Sequence, residues 1–258
     1  MVDGDPILDL RGVSKRFGGV VAVDDVDLRF YSGSLTALVG PNGAGKTSLF
    51  NVVAGTLKAD SGEVRFAGSP ITRRRPEAIA RAGLRRTFQN PRPFRALTVL
   101  ENTVLGAAEN IGERLGRVFI SPRSWRRREA EIVARARELL QVVRLDDKEA
   151  TLAGALSGGQ RKLLELARVL MSEPKLVLLD EPIAGVNQAL REELARVIVT
   201  VHESRLTTFV LIEHDLDFVA RLSDRVVVMD AGRVIADGAA DEVWSNAAVI
   251  EAYLGRSS

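Results

Sequence analysis

The octapeptide Gly40-Pro41-Asn42-Gly43-Ala44-Gly45-Lys46-Thr47 follows the apolar run Leu35 to Val39 and fits G-x-x-x-x-G-K-[ST] without a mismatch. Few features constrain a fold more tightly. The glycines let the backbone curl until several N–H groups converge, and the helix expected after Gly45 adds its positive end at the same point. A strand must therefore enter this loop and a helix must leave it, with an anion between. Lys46 can reach the β- and γ-phosphates of a nucleotide, and the Thr47 hydroxyl can take one position on Mg²⁺; Ser48 continues the hydroxyl pair.

A second glycine-rich segment, Leu156-Ser157-Gly158-Gly159-Gln160, opens the amphipathic stretch Arg161 to Met171. Alone, Ser-Gly-Gly before a helix is an ordinary N-cap. It also offers backbone N–H groups and a helix N-terminus to an anion. Further on, Lys175 to Leu179 reads as a buried strand ending in Asp180-Glu181, and Thr207 to Ile212 as another ending in Glu213-His214. A carboxylate ending an apolar strand can face a metal across the phosphate loop. We therefore expect Asp180 to hold Mg²⁺ through water and Glu181 to position or deprotonate the attacking water.

The rest of the chain sorts by periodicity. Ile7 to Phe17, Val20 to Phe30 and Glu63 to Ala67 read as strands of an antiparallel sheet with one wet face. The apolar runs at Leu35, Leu176, Phe209 and Val226 read as parallel strands buried on both sides. Leu84 to Phe88 reads as a short strand. From about Asn90 to Leu170 the chain is mostly helical, with Ile132, Val133, Ala136, Leu139, Leu140 and Val143 on one face. Arg225 to Met229, a turn at Asp230 to Arg233, and Val234 to Ala236 form a hairpin, followed by two short helical pieces.

In this order, the phosphate loop, Gln89, Leu156 to Gln160, Asp180-Glu181 and His214 resemble an ABC-type ATPase subunit over nearly the whole chain. The resemblance implies an α/β fold with a P-loop NTPase (RecA-like) core, an antiparallel β subdomain and a helical subdomain, the ABC ATPase fold. Residues 1–258 are then one nucleotide-binding domain, with the helical subdomain at about 90–170. It implies ATP and Mg²⁺ as cofactors. It also implies a dimer in which Ser157, Gly159 and Gln160 of one subunit cover the ATP held by the other, either as two copies of this chain or with a sister ATPase. By the same resemblance Gln89 ligates Mg²⁺ or the attacking water, His214 contacts the γ-phosphate, and Phe17 stacks on adenine. His202, the other of two histidines, is expected to be a surface or interface residue with no chemistry. Asn187 stands where most family members carry aspartate, which alters the hydrogen bonding expected of that loop.

Several phrases are similar to ATPases of branched-chain amino acid importers: Arg86 to Asn90, Leu97 to Asn102, Ile212 to Asp215, Leu222 to Arg225 and Ala252 to Gly255. The resemblance implies transmembrane permease partners, indirectly a solute-binding protein, and a cytoplasmic place on the inner face of the membrane. Importers for urea or short amides and the ATPase of lipopolysaccharide export are the alternatives within the family. No apolar stretch approaches the roughly 20 residues that span a bilayer, so the pore belongs to other chains. The net charge of +2 gives no field that demands nucleic acid. Arg73 to Arg75 and the arginines between 123 and 128 leave nucleic-acid binding as the competing class, against a solvated face. The absence of cysteine excludes disulfides and thiol chemistry.

Overall fold

The computed structural model describes residues 5–87, 93–107, 122–203 and 207–254. The chain forms two compact units: Met1–Arg86 with Lys175–Pro182 and Val201–Ser258, and Thr87–Pro174 with Ile183–Thr200. The second takes in residues 183–200 as well as the stretch expected at about 90–170.

The first unit carries two sheets. Strands β1 (Pro6–Phe17), β2 (Val20–Tyr31), β4 (Ser61–Phe66) and β5 (Ser69–Pro70) form an antiparallel sheet in the order β2-β1-β4-β5. The other sheet is built from β3 (Leu35–Val39), β6 (Leu84–Arg86), β7 (Leu176–Asp180), β8 (Thr208–Ile212), β9 (Arg225–Asp230) and β10 (Arg233–Gly238), in the order β10-β9-β3-β8-β7-β6. All its pairings are parallel except the β9–β10 hairpin. Every residue of β3, β7 and β8 is buried, as their predominantly apolar sequences demand of strands covered on both faces. Helices α1 (Lys46–Val53) and α2 (Pro76–Arg81) belong to this unit. So do α7 (Leu216–Leu222), α8 (Ala240–Trp244) and α9 (Ala247–Leu254). Its core closes over the wholly buried Phe50, Phe66, Phe209 and Phe218.

The register of the parallel sheet fixes where chemistry can occur. Leu38 of β3 and Asp180 of β7 both pair with Ile212 of β8. The carboxyl ends of three strands thus arrive level, and the next residues are Val39-Gly40, Glu181 and Glu213-His214. Ligands of open parallel sheets bind beyond these ends.

The second unit is helical: α3 (Val99–Leu105), α4 (Pro122–Val142), α5 (Gly158–Leu170) and most of α6 (Gln188–Glu203). The expected stripe on α4 and just after it is the packed one, with Ala136, Leu140 and Val143 fully buried. Buried Asn102 fastens the segment before α3. Its Oδ1 accepts from the Phe94 N–H, and its Nδ2 donates to the carbonyls of Phe94, Leu97 and Thr98. A buried amide in the middle of an apolar helix is tolerated because all its bonds are made. Of the strand expected at Leu84 to Phe88, Leu84–Arg86 forms and Phe88 lies outside the described residues. No helix among the described residues is long and apolar enough to cross a membrane.

Candidate active site

Backbone shape comes first in the phosphate loop. Gly40, Gly43 and Gly45 have φ of +144°, +82° and +101°, the region that side chains avoid. A Cβ on Gly40 would stand 2.0 Å from the Met229 carbonyl oxygen, and one on Gly45 2.1 Å from that of Ala22. The loop is wedged between β9 and β2, and only glycine fits both walls. At Gly43 nothing lies within 4 Å of the missing Cβ, so its φ is needed for the curl and its face is open. Pro41, Asn42, Gly43 and Thr47 are partly or fully exposed along that face, whereas Ala44 is buried and its carbonyl accepts from Gly232 N–H.

Gly45 caps α1 with no side-chain acceptor, and the first turn carries no acid. Its N-terminal N–H groups and the positive helix end are left for an anion. Lys46 is buried, and its Nζ donates to the carbonyls of Gly40 at 2.7 Å and Pro41 at 3.0 Å. Burial pulls its pKa down, partly offset by the negative charges of Glu181 and Asp180.

Asp180 ends β7 almost fully buried. Its Oδ2 meets Nη2 of Arg86 at 2.5 Å. Among the described residues no group of three His, Cys, Asp or Glu could hold a metal. Among the described residues, the ligands expected for Mg²⁺ are one carboxylate and one hydroxyl, Asp180 and Thr47, all oxygen donors. That oxygen-only, ligand-poor set fits Mg²⁺.

Glu181 has φ +48°, a left-handed backbone on a residue that is not glycine. Its N–H donates to Ile212 O at 3.0 Å, which ties the bend to β8. The turn brings Oε1 to 2.7 Å from Nε2 of His214. With the carboxylate ionised, that ring nitrogen carries the proton and donates. His214 stays about half exposed, at 45 %, against 20 % for Glu181. The structure thus brings Lys46, Asp180, Glu181 and His214 to the same strand ends. Phe17 ends β1 with half its surface exposed and Lys15 Nζ 5.6 Å from its ring centroid. It has a free aromatic face and is not a core residue.

Ser157, Gly159 and Gln160 belong to the helical unit. They form a reciprocal cap: the Gln160 N–H donates to Ser157 Oγ, and the Ser157 N–H to Gln160 Oε1. A Cβ on Gly159 would fall 1.9 Å from Cδ2 of Leu190, so helix packing already demands this glycine. Asn187 caps α6 by accepting from the Leu190 N–H at 3.0 Å, a bond aspartate would make equally well. Gln89 lies outside the described residues. His202 is partly covered, its Nε2 3.2 Å from an oxygen of Asp224.

Two contacts at the site escaped sequence reasoning. Arg86 figured only as part of a phrase, and its partner Asp180 is remote in sequence. Tyr253, likewise only part of a phrase, is hydrogen-bonded to the backbone of Gly40, while burial pushes its phenol pKa up.

The model of the ABC transporter family matches residues 23–184, and that of the branched-chain amino acid ATP-binding cassette transporter matches residues 233–257. The chain is 42 % identical to the probable branched-chain amino acid transport ATP-binding protein LivG of Archaeoglobus fulgidus, covering 96 % of this chain and 95 % of the relative. It is 37 % identical to the high-affinity branched-chain amino acid transport ATP-binding protein BraF of Pseudomonas aeruginosa, covering 98 % and 99 %. Among solved structures, the ADP conformation of MJ1267, an ATP-binding cassette of an ABC transporter, superposes with a TM-score of 0.82 at 36 % identity, covering 98 % of this chain and 100 % of that one. A nucleotide-free ATP-binding cassette from an ABC transporter gives 0.80 at 38 %, with the same coverage. With a phosphate loop, an acidic strand end and a histidine at level strand ends, and relatives matching from end to end, this chain belongs to the ATP-binding subunits of ABC transporters.

Proposed function

We propose that this ATPase energises uptake of branched-chain or related amino acids, as a peripheral subunit on the cytoplasmic side of a membrane permease. The observation that carries the reading is the reach of the likeness. Branched-chain transport ATPases match it over nearly its full length, and a branched-chain model covers the final hairpin and helices. That terminal match weighs against urea, amide or lipopolysaccharide transport.

The two units together serve as one nucleotide-binding domain. In the proposed chemistry the amides from Gly43 to Ser48 and the Lys46 ammonium hold the β- and γ-phosphates. Lys46 must exchange its carbonyl partners for phosphate oxygens, and the added negative charge restores the pKa that burial depresses. Thr47 and Asp180 would hold Mg²⁺, with Gln89 as a further ligand of the metal or of the attacking water. A metal held there would supply positive charge to offset the negative charge of the phosphates. Glu181 receives the proton of the water whose oxygen forms the new P–O bond as the β–γ bridge breaks and ADP leaves. His214 keeps that carboxylate aimed and stands ready to contact the γ-phosphate. Phe17 supplies the stacking face for adenine. Ser157, Gly159 and Gln160 close over the nucleotide of a second subunit.

The test is transport itself. The chain is purified with its membrane partners, reconstituted in vesicles with the solute-binding protein, and ATP hydrolysis is measured with candidate solutes. Stimulation by leucine, isoleucine or valine is the expected result. Stimulation by urea or a short amide, with none by these amino acids, overturns the substrate reading. Co-purification with nucleic acid and no membrane protein overturns the transport reading.

A further inference from the structure

Arg86 stands at the end of β6, paired in register with Leu178 of β7, two residues before Asp180. Its guanidinium reaches in two directions: Nη2 to Asp180 Oδ2 and Nη1 to Asn51 Oδ1, both at 2.5 Å. The side chain is 18 % exposed and its carboxylate partner 6 %. Asn51 lies on α1 four residues after Thr47, hence on the same helical face. The same Asn51 Oδ1 accepts from Thr56 Oγ1 at 3.2 Å, and Asn51 O accepts from it at 3.1 Å, so the amide is itself held.

We propose that Arg86 is a positioning residue for the metal site, a clamp joining the carboxylate on β7 to the helix that carries Thr47. The inference rests on the reading of Asp180 and Thr47 as the residues that hold Mg²⁺. The two stand on separate elements, α1 and β7, and Arg86 with Asn51 ties those elements together directly. A planar fork with donors on two nitrogens spans the gap; a lysine ammonium, a point charge, reproduces the charge without the geometry. Residues that orient metal ligands from behind typically shift metal affinity by about 10- to 100-fold when replaced.

The test compares equilibrium binding of a fluorescent ATP analogue in EDTA and in Mg²⁺ for the full chain, Arg86→Gln, Arg86→Lys and Asp180→Asn. We expect Arg86→Gln to bind within about two-fold of wild type in EDTA and to lose about ten-fold of the Mg²⁺-dependent gain. Arg86→Lys should recover only part of that gain. An unchanged gain in Arg86→Gln overturns the clamp, as does an equal loss in EDTA, which would mark a purely structural role. Should Arg86→Gln not fold, Asn51→Ala keeps the ion pair and cuts the tie to α1. Its Mg²⁺ gain should fall about three-fold, and an unaltered gain refutes the proposal. Asp180→Asn separates the two readings. If it keeps the full gain, the metal assignment fails; if it loses the gain while Arg86→Gln does not, only the clamp fails.

Discussion

Glu181 occupies a backbone region that costs a non-glycine residue about 1–3 kcal/mol, and the fold retains it there. The bend aims the carboxylate at His214, which an extended continuation of β7 would not do. Strain at the residue that follows Asp180, beside His214, points to this turn independently of motif. Glu181→Gln keeps the shape and the acceptor but loses the base. We predict ATP affinity within about three-fold of wild type and turnover reduced by at least about 100-fold, the usual worth of a positioned base. Binding and single-turnover assays decide it, and near-wild-type turnover would remove Glu181 from that role. Lys46 gives a pH prediction. In the free protein burial lowers its pKa, while bound phosphates favour the charged form. ATP affinity should therefore fall as pH rises through that lowered value, before free lysines titrate. Titration of affinity from pH 7 upward checks this, and a flat profile to the ordinary lysine range of about 10.4 refutes it.

At the scale of elements, the parallel strands were legible because strands covered on both faces cannot afford polar residues, and β3, β7 and β8 contain almost none. The Ser157 N-cap was also local, and the boxes at Ser157 and Thr98, not foreseen, are completed by an N3 partner three residues on. What could not be read was set by register between distant strands. Arg86 meets Asp180, and Glu181 meets His214, only because β6, β7 and β8 lie side by side. The covered position of His202 has the same origin, as Asp224 reaches it from the approach to β9. The cap of α3 makes a testable case. Glu101 accepts from the N–H and the hydroxyl of Thr98, which holds its pKa below the ordinary glutamate value. Its contribution is fully present above the unfolded value of about 4.3. It is lost as pH falls through the lower native value. Thr98→Ala should cost about 1 kcal/mol at pH 7. The difference from wild type in denaturant unfolding should shrink below pH 4, and a pH-independent difference would show that the carboxylate is not part of the cap.

At the scale of the molecule, the chain carries one phosphate loop and one Ser157 cap, and they belong to different compact units. The open face of Gly43 and the exposed Ser157 and Gly158 are surfaces for which each unit alone supplies no cover. In the proposed cycle a second subunit covers them when ATP is bound, and hydrolysis removes the γ-phosphate that both subunits grip. Glu181→Gln should therefore accumulate the closed pair, because it binds ATP and does not consume it. With Mg-ATP this variant should elute in size-exclusion chromatography at twice the mass seen with Mg-ADP; wild type should show the larger species only transiently. Adding Ser157→Arg places a bulky cation at the cap surface and should return the double variant to the smaller species while leaving its own ATP affinity unchanged. If the pair persists in the double variant, the covering surface lies elsewhere. If Glu181→Gln never pairs with itself, the natural partner is a sister ATPase, and mixing the two should restore the larger species.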